Sequence, residues 1–191
     1  MAVQDRLYTA DEFWEFISQP ENSDRFLELV DGEIVELAAS STVPSIITAE
    51  ITRFIGNHVS QYDLGYITSA EGGYVLSPKN VLAPDVGFIS KGRIEKLPDR
   101  FFPGPPDLAV EVVSPTDRKQ DVHRKALRYI KYGVRLVWAV YPEYKTVHVY
   151  SATEDGKAIT YEVGIDGELD GGDVLPGFKL AIRDIFKAVE A

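Results

Sequence analysis

The chain has 191 residues, a formal net charge of −10, 45% apolar and 26% charged residues, the proportions of a globular protein able to build one full core. It contains no cysteine, which excludes disulfide scaffolds, thiolate metal sites and cysteine nucleophiles. No apolar run approaches the roughly 18 residues of a membrane helix, and Met1-Ala2-Val3-Gln4-Asp5-Arg6 has no signal-like apolar segment, so a cytoplasmic protein with no membrane partner is expected.

Thr9 followed by Glu12 is a capping box, and it predicts a helix over residues 10–18 that Pro20 stops. Asp31-Gly32 lies between two strand-like runs, 25–30 and 33–37, and predicts a hairpin. After a break at 41–44, residues 45–60 carry Ile47, Ile51, Phe54 and Ile55 at helical spacing. Short strands are expected over 65–69, 73–76 and 85–90, with a turn at 77–80. The stretch 92–107 carries Pro98, Pro103, Pro105 and Pro106 and reads as the longest irregular segment.

Residues 108–113 are apolar except for Glu111, as suits a central strand buried on both faces. A helix over 118–132 closes at Gly133, and strands follow at 135–141 and 146–150. Asp155-Gly156 and Asp166-Gly167 are turn signals with 159–163 between them, and 182–189 reads as a last short helix. This order of elements predicts a mixed sheet flanked by helices, extended by C-terminal hairpins, in one domain over 1–191.

Charge is unevenly spread. Residues 91–131 hold ten Lys/Arg and six Asp/Glu, whereas the rest of the chain holds ten and twenty-four. An acidic body with one basic zone remains compatible with a nucleic-acid partner, and equally with a solvated surface.

Several familiar active sites are absent. The three histidines are far apart in sequence, and neither a Gly-x-Ser-x-Gly elbow nor a Gly-rich phosphate loop occurs. Acids in apolar company remain. Glu111 shares a strand face with Ala109 and Val113, so it must be paired, bound to metal or placed at an open strand end. Asp85 follows Pro84 where a loop meets an apolar strand; it is either a turn former or a ligand. Asp121, Lys125 and Tyr129 share a helix face, which reads either as a surface pair or as part of a site. Taken together, two carboxylates and a lysine suit a hard divalent cation and phosphodiester chemistry.

Pro84-Asp85, Glu111-Val112-Val113-Ser114-Pro115, and Asp121-x-x-x-Lys125-x-x-x-Tyr129-x-x-x-Gly133-Val134 together resemble the Uma-two family of restriction endonucleases, within the PD-(D/E)XK nuclease-like superfamily. Glu28-Leu29-Val30-Asp31-Gly32-Glu33, Leu136-Val137-Trp138-Ala139-Val140 and Leu175-Pro176-Gly177-Phe178 agree with it, so the likeness spans about residues 26–186. The resemblance implies a restriction-endonuclease-like α/β fold and a DNA endonuclease, often a homodimer. It implies Mg²⁺ or Mn²⁺ held by Asp85, Glu111 and the Val112 carbonyl. The superfamily lysine two residues after the Glu is Val113 here, and the resemblance implies a migrated lysine, Lys125, held by Asp121. A further Glu often joins such sites, and the candidates are Glu50, bordered by Ile46, Ile47 and Phe54, and Glu28 in the first hairpin. Arg118, Lys119, Arg124, Arg128 and Lys131 are the basic residues expected to meet phosphates. The alternative is a fold-preserving, non-catalytic nucleic-acid-binding or regulatory dimer.

Overall fold

The structure is a computed structural model that describes residues 6–153 and 157–190. The Asp155-Gly156 turn therefore lies outside the described residues. Helix α1 spans Ala10–Ile17, with the Thr9–Glu12 capping box formed in both directions. Strands β1 (Leu27–Val30) and β2 (Glu33–Glu36) make the predicted hairpin. Asp31 and Gly32 both have positive φ, 53° and 91°, as a tight two-residue hairpin turn requires.

Helix α2 spans Thr42–Gln61, three residues longer at its start than the sequence suggests. Pro44 lies in its first turn, where a missing N–H costs nothing because that donor has no partner inside the helix. Strands β3 (Gly65–Ser69), β4 (Tyr74–Ser77), β5 (Asn80–Leu82) and β6 (Val86–Ser90) follow. After the proline-rich segment come β7 (Leu108–Val112), α3 (Lys119–Lys131) and β8 (Leu136–Tyr141). The chain ends with β9 (Thr146–Ala152), β10 (Ala158–Val163), β11 (Glu168–Asp170), β12 (Lys179–Ala181) and α4 (Ile182–Phe186).

The central sheet has six strands in the order β10-β9-β8-β7-β6-β3. Only β7 and β8 run parallel, joined by the α3 crossover, and every other pair in it is antiparallel. A four-stranded sheet, β2-β1-β5-β4, and the two-stranded β11-β12 accompany it. Among the described residues no helix is long and apolar enough to cross a membrane.

Strand β7 shows how the faces divide. Leu108, Val110 and Val112 point into a core shared with Ile47, Ile51 and Ile55 of α2 and Ile182 and Ile185 of α4. Ala109 points the other way, into a core with Ala126, Tyr129 and Ile130 of α3. Glu111 has the same parity as Ala109, so it faces α3. A third cluster, Phe13 with Leu29 and Val81, fixes α1 on the four-stranded sheet.

Candidate active site

Strands β6 and β7 pair antiparallel with Val86 opposite Val110. Carried one residue further, that register sets Asp85 opposite Glu111 on the α3 face. The Val112 backbone N–H donates to Asp85 Oδ2 at 2.6 Å, which ties the segment before β6 to the end of β7. The two acids that folding had to unite are therefore cross-strand neighbours on one side of the sheet.

Helix α3 lays Lys125 against them. Lys125 Nζ is 2.9 Å from Glu111 Oε1 and donates to Glu111 Oε2 at 3.0 Å. The same ammonium is 2.9 Å from Glu28 Oε1 on β1. Glu28 Oε1 also accepts the Ala83 N–H at 2.9 Å, so Glu28 clamps both the lysine and the backbone leading to Asp85. One turn along α3, Tyr129 donates its hydroxyl to Glu111 Oε1 at 2.8 Å. The side chains of Glu28, Glu111 and Lys125 retain only 4%, 13% and 21% of their exposure.

Two carboxylates thus hold one ammonium in a nearly dry place, with Asp85 across the strands from Glu111. Burial pushes Glu111 up to about 8 against the pull of Lys125, and Asp85 and Glu28 add to the rise. Burial also raises Asp85, opposed by the Val112 N–H and then by Lys125. Burial alone would lower Lys125, but Glu111 and Glu28 more than offset it and hold the ammonium charged well above its ordinary range. Tyr129 is pushed well above its usual value, first by burial and then by Glu111. The cluster has a surplus of negative charge that one lysine does not neutralise.

The cluster lies at a cavity of about 1080 Å³ lined by β1, the ends of β5 and β7, the 114–118 loop and α3. Seven acidic residues line it against three basic ones. Among the described residues no three Asp, Glu, His or Cys side chains converge closely enough to hold a metal by themselves. Asp85 and Glu111 with a backbone carbonyl would be the protein's share of a Mg²⁺ shell. That fits an ion that binds through one or two carboxylates and retains water. Hard oxygen donors and the uncompensated negative charge both suit such a cation.

Other expectations meet a different arrangement. Glu50 is on α2, across the sheet from Glu111, and its carboxylate pairs with Arg53 at 2.6 Å; it does not line the cavity. Asp121 does not hold Lys125: it pairs with Arg124, one turn along the helix. The i,i+4 spacing allowed the Asp121 pair, but Lys125 turns inward to the two glutamates. The expected phosphate-binding residues diverge: Arg128 pairs with Asp31 at 2.8 Å, while Lys119 and Lys131 lie against the rings of Tyr144 and Tyr132. Arg118 alone of the five lines the cavity. Sequence reasoning placed Tyr129 on the right face but gave it no role; its spacing of four from Lys125 was the available signal.

A family model described as "Putative restriction endonuclease", Uma2, matches residues 11–183. A crystal structure of a "putative nuclease belonging to DUF820" from Anabaena variabilis superposes with a TM-score of 0.74. It is 21% identical, and the match covers 93% of this chain and 97% of the other. That likeness establishes the shared fold. Among curated proteins none matches this chain. With most of its length matched by the family model, the chain belongs to the Uma2 family, whose described activity is that of a nuclease.

Proposed function

We propose that this protein is a metal-dependent endonuclease that hydrolyses DNA phosphodiester bonds, with Asp85, Glu111 and the Val112 carbonyl as the ligands of Mg²⁺ or Mn²⁺. The observation that carries the reading is the Lys125 ammonium, 2.9 Å from both Glu28 and Glu111, in a buried cluster where carboxylates outnumber cations. A divalent ion there would neutralise the excess charge, polarise a phosphoryl oxygen and lower the pKa of a bound water.

The chain's own residues do the remainder. Glu28 and Glu111 orient Lys125, whose ammonium is placed to hold the attacking water or to stabilise charge developing on the phosphate. Tyr129 fixes the Glu111 carboxylate through Oε1. Val112 N–H fixes Asp85 through Oδ2. A group held by a second, buried partner keeps its geometry when substrate arrives, which is the condition for catalysis by positioning.

The test is nicking of supercoiled plasmid by purified protein with Mg²⁺ or Mn²⁺. Asp85→Ala is expected to lower the rate at least about a hundredfold, the scale on which loss of a metal site's support is felt. Equal activity in wild type and Asp85→Ala would remove the assigned site. A second reading, a binding or regulatory module, is favoured by one feature: Lys125 already fills the gap between Glu28 and Glu111. Titration calorimetry that detects no Mg²⁺ or Mn²⁺ binding at millimolar metal would select it.

A further inference from the structure

The cavity that receives the buried cluster is poorly suited to a duplex. Proteins that grip a duplex through its backbone meet the phosphates with available lysines and arginines. Here acids outnumber bases along the cavity wall. Arg124 and Arg128 are engaged by Asp121 and Asp31, and Lys119 and Lys131 rest on tyrosine rings. Arg118 is the one α3-flanking cation that lines the cavity, and among the described residues it has no ion-pair partner.

The same cavity has aromatic surface near the acids. Phe26 lines it and is 47% exposed, a large apolar side chain left facing water. The Leu37 N–H donates to the Phe26 carbonyl at 2.8 Å, so Phe26 continues the β1 ladder and has the same parity as Glu28. Two residues of strand separate them by roughly 7 Å. Phe101 also lines the cavity, and it is held firmly. Its ring stacks on Phe13 with centroids 5.6 Å apart and meets Trp14 edge-on at 5.0 Å. A Cβ on Gly73 would come within 2.4 Å of that ring, so the glycine is what lets it lie there.

A buried reaction centre, one unpaired arginine and exposed aromatic surface are the parts of a single-strand site. Stacking on a ring is tolerant of sequence, and a base is free to stack only when it is unpaired. We infer, on the nuclease reading above, that the cavity takes single-stranded DNA, with a base stacked on Phe26 next to the phosphate presented to Asp85, Glu111 and Lys125. Arg118 contacts a neighbouring phosphate of the same strand. The specificity is therefore for unpaired DNA, such as a flap, a gap or a displaced strand.

The experiment uses the full chain with a single-stranded oligonucleotide carrying 2-aminopurine, in Ca²⁺ to separate binding from turnover, beside the same sequence annealed to its complement. Single-stranded probe is expected to bind more tightly and to lose fluorescence on stacking. Phe26→Ala is expected to weaken that binding about tenfold and to remove the fluorescence change, with Phe26→Trp retaining it. Phe26 is half exposed, and an unchanged circular dichroism melt confirms that the fold survives its removal. Duplex binding as tight as single-strand binding, or Phe26→Ala equal to wild type, overturns the inference. Cleavage of duplex by a protein that ignores Phe26→Ala does so while leaving the nuclease reading standing. Failure to bind or cut any DNA with Mg²⁺, Mn²⁺ or Ca²⁺ overturns both.

Discussion

The two faces of the central sheet are built from the same strands to opposite ends. On the α2 side, β7 contributes Leu108, Val110 and Val112 to a core that also holds Ile47, Ile51 and the fully buried Trp138. On the α3 side, the alternate residue Glu111 meets Lys125 and Tyr129, and Lys125 pairs in turn with Glu28. One face gains stability by removing apolar surface from water. The other face also packs an apolar core, with Ala109 against Ala126 and Ile130, but beside it encloses charges whose desolvation is recovered only by mutual pairing. The difference teaches that β7 presents a wholly apolar row to α2, whereas toward α3 it combines an apolar core at Ala109 with a charged cluster at Glu111.

That contrast breaks most visibly at Lys125. Lys125→Met leaves Glu28 and Glu111 buried without their counter-ion, and the loss expected for half of a buried pair is about 3–5 kcal/mol in urea denaturation. Added Mg²⁺ is expected to return more stability to this variant than to wild type, because a cation that binds only the folded cluster stabilises by linkage. The counterpart across the sheet is Ile51→Ala, with an expected loss of about 2–5 kcal/mol from transfer and cavity terms. Mg²⁺ should add no more to it than to wild type. Equal Mg²⁺ responses in both variants would show that the α3-side cluster does not hold the ion.

A smaller effect sharpens the comparison through pH. Glu111 ordinarily titrates at 4.5 and is pushed up to about 8 in the folded protein. Between those values the unfolded chain has released the proton while the folded chain keeps it. Glu111 therefore subtracts stability progressively as pH rises through that window, and nothing further above it. Glu111→Gln cannot titrate. In metal-free buffer its stability relative to wild type should climb from about pH 4.5 to about pH 8, by no more than a few kcal/mol, and then level off. A difference that stays flat across the window would mean that Glu111 is ionised in the fold throughout. No apolar substitution on the α2 side should reproduce the slope.

Much of this division is legible in the sequence, and the gaps have physical causes. The capping box at Thr9, the Asp31-Gly32 turn and the Gly133 helix stop are local devices, and each appears where its residues predict. Glu111 stands out because an acid inside an apolar strand demands a partner, and Asp85 because it stands at the entrance of another. The strand β5 is absent from the pattern because Asn80 reads as a turn residue. In the fold its amide is buried, accepting from the Asp31 N–H at 3.1 Å and donating to Ser77 Oγ at 3.0 Å and Tyr132 Oη at 3.2 Å. Those partners come from three segments, so no local reading supplies them. The inward turn of Lys125 is hidden for the same reason: it depends on Glu28, far away in sequence, being brought over α3 by the four-stranded sheet.

The smallest expected effect separates two acids that sequence alone leaves equal. Glu28 and Glu50 both have apolar neighbours at the period of their own element, two residues in a strand and three or four in a helix. Periodicity reports which face a residue takes, not whether that face meets a partner's charge. Glu28 meets the Ala83 N–H and Lys125. Glu50 meets Arg53, whose guanidinium also lies 4.2 Å from the Phe54 ring centroid, an arrangement complete within α2. An i,i+3 pair open to solvent contributes little, since its charges are already well hydrated when apart. Glu50→Ala should leave the urea midpoint unmoved within error and the nicking rate within about twofold of wild type, whereas Glu28→Ala, which frees a buried ammonium from one of its two anions, should lower both. Nicking lost in Glu50→Ala with the urea midpoint intact would place the chemistry partly on the α2 face and dissolve the division between the two sides of the sheet.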